Sequence, residues 1–356
     1  MGSRLRRALS LSVPFLALSV ISIDGGQNLN LLKYKVVMKT VRIAIATIFQ
    51  NGGDATRAIE IAKIIRAYQP EDYKNDIIFI SRGSHFDKQA TDLGFGLYRT
   101  FPKMNGVNFL DDFQSEFGEL IGNTELAVEI LKGEIYAYNQ IKPDILIHGF
   151  WPIGSIAKRL TMPSVKSIAF LPLPLSSVFL GQVKTFPDEI CLSRLPRIIQ
   201  KYIIKILPKK IRENTPALRH THIRKASENL YWNKEPLTNI FKMLKSDMYL
   251  ITDFPIFYNT KPFGEKFVFT GPIYSELGGK EINDARINEV LSKNNKKIKI
   301  FCTLGSSGSK ANLLEIIKIF NSQKGLEWSG IILSPKSICP IEEAKRLLEN
   351  KNGSSQ

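Results

Sequence analysis

The sequence predicts an α/β fold of two tandem Rossmann-type domains with parallel sheets, the second domain incomplete. Three observations carry this. Nearly continuous apolar runs of strand length recur along the chain. Each is followed by a turn and then by apolar residues at helical spacing. The same series restarts after residue 297. Strands that are apolar throughout belong to parallel sheets, whose crossover helices cover both faces. A chain of 356 residues suffices for two domains. With 44% hydrophobic and 23% charged residues, its composition is that of a globular protein.

Residues 1–37 read as an N-terminal extension outside the fold. Arg4, Arg6 and Arg7 precede an apolar run at 9–23. That layout suits a signal peptide but lacks a convincing cleavage site, and the run is short for a membrane span. An upstream start codon, a membrane-associating anchor and a secretion signal are the three readings. The domain itself begins at Met38.

The first domain spans 38–275. Its first strand is 41–47 (VRIAIAT), broken by Gly52-Gly53. A helix over 55–68 follows, with Ala58, Ile61, Ala62, Ile64 and Ile65 on its apolar stripe. Asp54 stands at the expected N-cap, where a carboxylate satisfies orphan N–H groups. Strands are expected at 76–80, 144–148, 165–170, 248–252 and 266–269, and helices at 85–93, 124–141 and 152–160. Residues 276–297 form a charged linker with a short helix. The second domain, 298–356, has strands at 298–304 and 330–333 and helices at 311–320 and 341–349.

Between 172 and 244 the strand pattern gives way to basic, helical sequence. The positive charge of the chain, net +16 overall, concentrates between Arg194 and Lys225. Arg197, Lys201 and Lys205 recur every fourth residue with Lys209 next, and Pro208 is expected to end the helix. Ile198, Ile199, Tyr202, Ile203 and Ile206 fill the remaining face. Two readings stand: a solvated helix that packs its isoleucines on the core, or a surface for an anionic membrane or lipid-linked acceptor. Nucleic acid is the less attractive partner and none is expected, since no stacking pattern or motif accompanies the charge. Cys191, Cys302 and Cys339 show neither metal-ligand spacing nor a disulfide framework, which fits a reducing compartment. No metal is expected.

Four stretches, in their order, resemble the GT-B glycosyltransferases of the UDP-glucuronosyl/UDP-glucosyltransferase superfamily. They are Gly52-Gly53-Asp54 after the first strand, 143–149 with the Pro163-Ser-Val165 entry to the next strand, 267–273 ending in Gly271-Pro272-Ile273, and 300–308 with Gly305-Ser306-Ser307. The resemblance covers most of 38–333. It implies transfer of a sugar from a nucleotide diphosphate sugar, a UDP-sugar, to a hydroxyl acceptor, without cofactor or metal. Asp54 would then be the general base, with Gly52, Gly53 and His148 at the acceptor cleft. Gly305, Ser306 and Ser307 would hold the donor diphosphate at a helix N-terminus. Plainer readings sit beside these: Asp54 as a helix cap, His148 as a structural histidine, and 305–307 as a small-residue turn. Arg57 stands where the family often has proline.

The family's His-Gly-Gly donor segment is absent, and only about 60 residues follow 297, against about 100–200 for an ordinary domain. A C-terminally truncated donor half is therefore expected, either a fragment inactive alone or a half completed by a second chain. A cytoplasmic protein, peripheral to the membrane, is the expected setting. The rival functions are a non-catalytic acceptor-binding subunit or scaffold, and a two-domain nucleotide-sugar epimerase-like enzyme.

Overall fold

The computed structural model describes residues 38–106, 109–116, 118–186, 191–275, 285–292, 298–303, 310–322, 327–333 and 339–349. β1 (Lys39–Ala46) leads into α1 (Gly52–Ala67), followed by β2 (Tyr73–Ser81), α2 (Phe86–Asp92) and β3 (Gly96–Arg99). α3 (Thr124–Ile141), β4 (Ile145–His148), α4 (Pro152–Thr161) and β5 (Lys166–Leu171) come next. The basic region holds α5 (Ser177–Gln182), α6 (Arg197–Ile206), α7 (Lys209–Glu213) and α8 (Thr221–Asn229), before β6 (Met248–Ile251) and β7 (Phe267–Phe269).

β1 to β7 form one sheet in the order β3-β2-β1-β4-β5-β6-β7, and every pairing in it is parallel. The fold is α/β as the strand pattern predicts. Alternate residues of β1 build two cores. Ile43 and Ile45 pack with Phe79, Phe170 and the inner stripe of α1. Ala44 and Ala46 face the other way, against α3 and α4. Small side chains on this second face leave room for the aromatic rings of Tyr138 and Trp151, both fully buried.

Farther along the chain come α9 (Ala285–Ser292), which falls within the segment expected as a linker, then β8 (Ile298–Thr303), α10 (Lys310–Phe320), β9 (Trp328–Leu333) and α11 (Ile341–Glu349). β8 and β9 pair in parallel as a separate sheet. Leu313 and Ile317 of α10 are buried with Cys339, whereas Ile298, Phe301 and Leu333 remain exposed.

Three local expectations are corrected. β3 is a strand that the sequence pattern does not single out: four residues, Gly-Leu-Tyr-Arg, at the sheet edge. α1 starts at Gly52, so its N-cap is Asn51 rather than Asp54, and Asn51 Oδ1 accepts from Gly53 N at 3.0 Å. Asp54 sits inside the first turn. The third concerns α6, which does not turn the arc of Ile198, Tyr202 and Ile206 onto the core. It buries Gln200 and Ile204 and leaves Ile198, Tyr202 and Ile206 exposed.

The reason lies in Gln200. Its Oε1 accepts from Phe186 N at 2.8 Å, while Nε2 donates to the Ser193 and Leu195 carbonyls at 2.8 and 2.7 Å. A buried amide that satisfies three backbone groups fixes which side of the helix turns inward.

Candidate active site at the β1–β4 switch point

In an open parallel sheet the chain leaves for opposite sides at one point in the strand order, and a crevice opens outside the carboxyl ends of the two strands there. Here β1 is flanked by β2 on one side and β4 on the other, so the crevice lies past Ala46 and His148. The segments that reach it are 47–54, after β1, and 149–151, after β4. Two of the four stretches read from the sequence meet at this point.

The loop after β1 is stitched in place. Gln50 Nε2 donates to Gly83 O at 3.1 Å, and Ser84 Oγ donates to Phe49 O at 2.6 Å, which ties the ends of β1 and β2 together. Asn51 then opens α1. At Gly53 an added Cβ would meet nothing nearer than Asn51 Oδ1, at 3.4 Å. Sterics alone do not demand a glycine there. Gly149 differs: a Cβ would collide with Thr47 Oγ1 and approach Phe170 Cζ to 2.9 Å. The floor of the crevice is close-packed at that residue.

Asp54 is 3% exposed and its Oδ1 holds Arg57 Nη2 at 2.7 Å. Burial raises the carboxyl's pKa above the usual aspartate value, and the Arg57 charge and hydrogen bond pull it back down. Opposed effects of this kind characterise acid–base groups, and also buried structural pairs. Arg57 is the partner the sequence reading treats only as a departure from family pattern. An oppositely charged residue three positions on, in the first turn of a helix, is the signal that reveals it.

His148 does not face the crevice as expected. It is fully buried; its Nδ1 lies 2.9 Å from Gly149 O and its Nε2 2.6 Å from Ser246 Oγ. Burial, aided by the Arg159 and Lys158 charges, lowers its pKa to about 4 against the Gly149 hydrogen bond. A neutral imidazole therefore spans two buried partners, tying β4 to the segment entering β6. Its place at a strand's carboxyl end is right, but its side chain turns into the protein.

A second buried polar group lies between the carboxyl end of β2 and α3. Arg82, directly after β2, pairs with Glu134 at 2.6 Å, with both side chains almost wholly buried. Arg82 also donates to Ile130 O at 3.0 Å, and its guanidinium stands 5.4 Å from the Trp151 ring centroid. Tyr138 donates to Gly154 O at 3.2 Å, and burial beside Glu134 raises its phenol well above its ordinary value. No local sequence signal marks this pair, because its members lie 52 residues apart.

Gly305, Ser306 and Ser307 lie outside the described residues. Among the described residues, no group of three or more His, Cys, Asp or Glu is placed to hold a metal, and no helix is long and apolar enough to cross a membrane. A cavity of about 500 Å³ opens between Thr185–Phe186 and the start of α6, beside Arg194 and Arg197. It is separate from the crevice, since neither the loop after β1 nor that after β4 contributes to its walls.

No family model and no curated protein matches this sequence. Among solved structures the chain is similar to the glycotransferase of kitacinnamycin, with a TM-score of 0.48 and 13% identity, over 83% of this chain and 66% of that one. It is also similar to CalG4, the calicheamicin glycosyltransferase (TM-score 0.46, 13% identity, 85% of this chain, 68% of that one). A third is UGT89C1 of Arabidopsis thaliana complexed with UDP (TM-score 0.46, 12% identity, 80% of this chain, 63% of that one). The chain thus spans about two thirds of the length of these proteins. A UDP-N-acetylglucosamine 2-epimerase is also similar (TM-score 0.38, 10% identity), and at these identities neither an activity nor a site residue is carried across to this chain.

Proposed function

We propose that this chain takes part in transfer of a sugar from a nucleotide diphosphate sugar, a UDP-sugar, to a hydroxyl acceptor held at the β1–β4 crevice. One observation carries the reading: a buried carboxylate, Asp54, sits in the first turn after β1 at the switch point, with its pKa raised by burial. The acceptor O–H gives its proton to Asp54 while its oxygen bonds the anomeric carbon. The bond from that carbon to the diphosphate oxygen breaks, and the nucleoside diphosphate leaves with the electron pair. Arg57 keeps Asp54 ionised between turnovers, and the acceptor displaces it from Oδ1. Gly305, Ser306 and Ser307 complete the proposal as the diphosphate cradle.

Calorimetric titration of the full chain with UDP is the first test. Saturable binding that disappears in Gly305→Trp supports the donor assignment; no binding by a folded chain overturns it. Turnover of a UDP-sugar with a hydroxyl acceptor then tests the base. Asp54→Asn should lower kcat by about a hundredfold or more, and unchanged kcat removes Asp54 from the chemistry. The Asp54–Arg57 pair also favours a second reading, a non-catalytic acceptor-binding subunit, because the carboxylate is occupied as it stands. Acceptor binding without turnover, unchanged in Asp54→Asn, would select it.

A further inference from the structure

We propose that α6, together with the 255–257 turn, is a docking surface for an anionic phospholipid bilayer. At 100° per residue, Ile198, Tyr202 and Ile206 fall within about 80° of arc. That arc lies opposite the buried Gln200 and Ile204. The three side chains are 84%, 65% and 60% exposed, values far from those of a core-facing stripe. Arg197, Lys201 and Lys205 form the next strip of the helix, between the apolar arc and the buried side. None of these three has an ion pair or hydrogen bond among the described residues. An apolar arc bordered by cations is the layout of a helix lying in a membrane interface, and a tyrosine suits the headgroup level.

Charge decides what covers this face. From Cys191 to Arg212 there are seven cationic residues and no acidic one. A soluble partner or a second copy would have to supply a compensating acidic surface, and a second copy would bring the same cations. A bilayer with anionic headgroups matches both the charge and the apolar arc at once.

A chain of bonded elements leads from α6 to a second exposed apolar pair. Arg212 of α7 donates to Leu180 O at 3.3 Å, which joins α7 to α5. Gln182 of α5 exchanges two hydrogen bonds with the Asn259 backbone, at 2.9 and 3.0 Å. The turn just before Asn259 exposes Ile256 and Phe257, at 83% and 66%. α5 and this turn follow β5 and β6 at their carboxyl ends, the same sheet edge that carries the crevice. A docked chain would hold that edge beside the bilayer. The acceptor would then be a lipid-linked hydroxyl; this last step rests on the transfer reading, whereas docking does not.

The test is sedimentation of the full chain with vesicles of phosphatidylcholine alone and with vesicles that also contain phosphatidylglycerol. Binding is expected to the anionic vesicles only, weakening with added salt. Lys201→Glu with Lys205→Glu should weaken it by at least about fivefold for each cation removed. Ile198→Ser, Tyr202→Ser and Ile206→Ser together should abolish it without changing the thermal melt. Because the two sets of variants act on separate, exposed strips, misfolding of one leaves the other decisive. The proposal is overturned by no sedimentation with anionic vesicles, or by binding that neither set affects. It is equally overturned if light scattering shows a dimer that the serine variant dissolves and vesicles do not bind. Since no sugar transfer is measured, this outcome is independent of the fate of the catalytic reading.

Discussion

The crevice and α6 place polar and apolar groups in opposite ways. Around the carboxyl ends of β1, β2 and β4, polar side chains go inward: Asp54, His148, Arg82 and Glu134 are all buried, each with a partner within 3 Å. On α6, large apolar side chains go outward, while a glutamine takes the inner position. Neither arrangement is the cheapest way to fold. Buried charges cost several kcal/mol of desolvation before pairing recovers it, and exposed isoleucines forgo burial free energy of about 1.5–3 kcal/mol apiece. Departures from local consistency concentrate at sites with a task. The two regions therefore stand out for opposite reasons, and each can be broken separately.

The largest effect is expected at the Arg82–Glu134 pair. Glu134→Ala leaves a guanidinium buried without its carboxylate, at a cost of about 3–5 kcal/mol. The double change Arg82→Met with Glu134→Leu should recover most of that loss, because it removes both charges and keeps the volume. Urea midpoints for the single and double variants measure the difference. If the double variant is as unstable as the single one, the pair contributes hydrogen bonding that the apolar replacement cannot supply, and Ile130 O is the first acceptor to examine.

His148 gives the next largest effect, and it depends on pH. Its folded pKa is about 4 against 6.5 when unfolded. Between those values the unfolded chain binds the extra proton, so stability falls as pH falls and is flat above the unfolded value. The full loss, reached below the folded pKa, is about 3 kcal/mol. His148→Asn keeps a polar side chain toward Ser246 and removes the titration. Its stability should decline less steeply over the same window. His220, whose pKa burial also lowers against the pull of Glu119, leaves a residual slope of the same sign. Parallel curves for the two proteins would mean that water reaches the His148 ring.

What the sequence discloses follows from how local each signal is. The run 41–47 announces β1 because a buried parallel strand is apolar at every position. α3 is found with the same bounds the sequence predicts, 124–141, since a long periodic segment that begins just after an asparagine cap is locally complete. β3 escapes notice: Gly96 and Arg99 weaken a four-residue run, and only pairing with β2 makes it a strand. The start of α1 is misread because Gly-Gly has poor helix propensity; Asn51 offsets this by capping one turn earlier. At the candidate site, the position of Asp54 just after β1 is legible from its loop, but its closure by Arg57 and the inward turn of His148 depend on packing. For α6 the apolar period is visible and the choice of face is not, since apolar residues fill a wide arc. The choice is made by the bonds of Gln200 to residues on a preceding loop.

That choice gives the sharpest comparison within one helix. Gln200→Ala would leave Phe186 N and the Ser193 and Leu195 carbonyls without their partner. The expected cost is about 1–3 kcal/mol. Tyr202→Ser, two residues on, removes a far larger apolar surface yet should change stability by no more than about 0.5 kcal/mol, because that surface already faces solvent. Hydrophobicity alone orders these two substitutions the other way round. Thermal or urea melts of both variants decide between the orders. A destabilised Tyr202→Ser with a tolerated Gln200→Ala would place the apolar arc against the protein, and the docking surface would be lost with it.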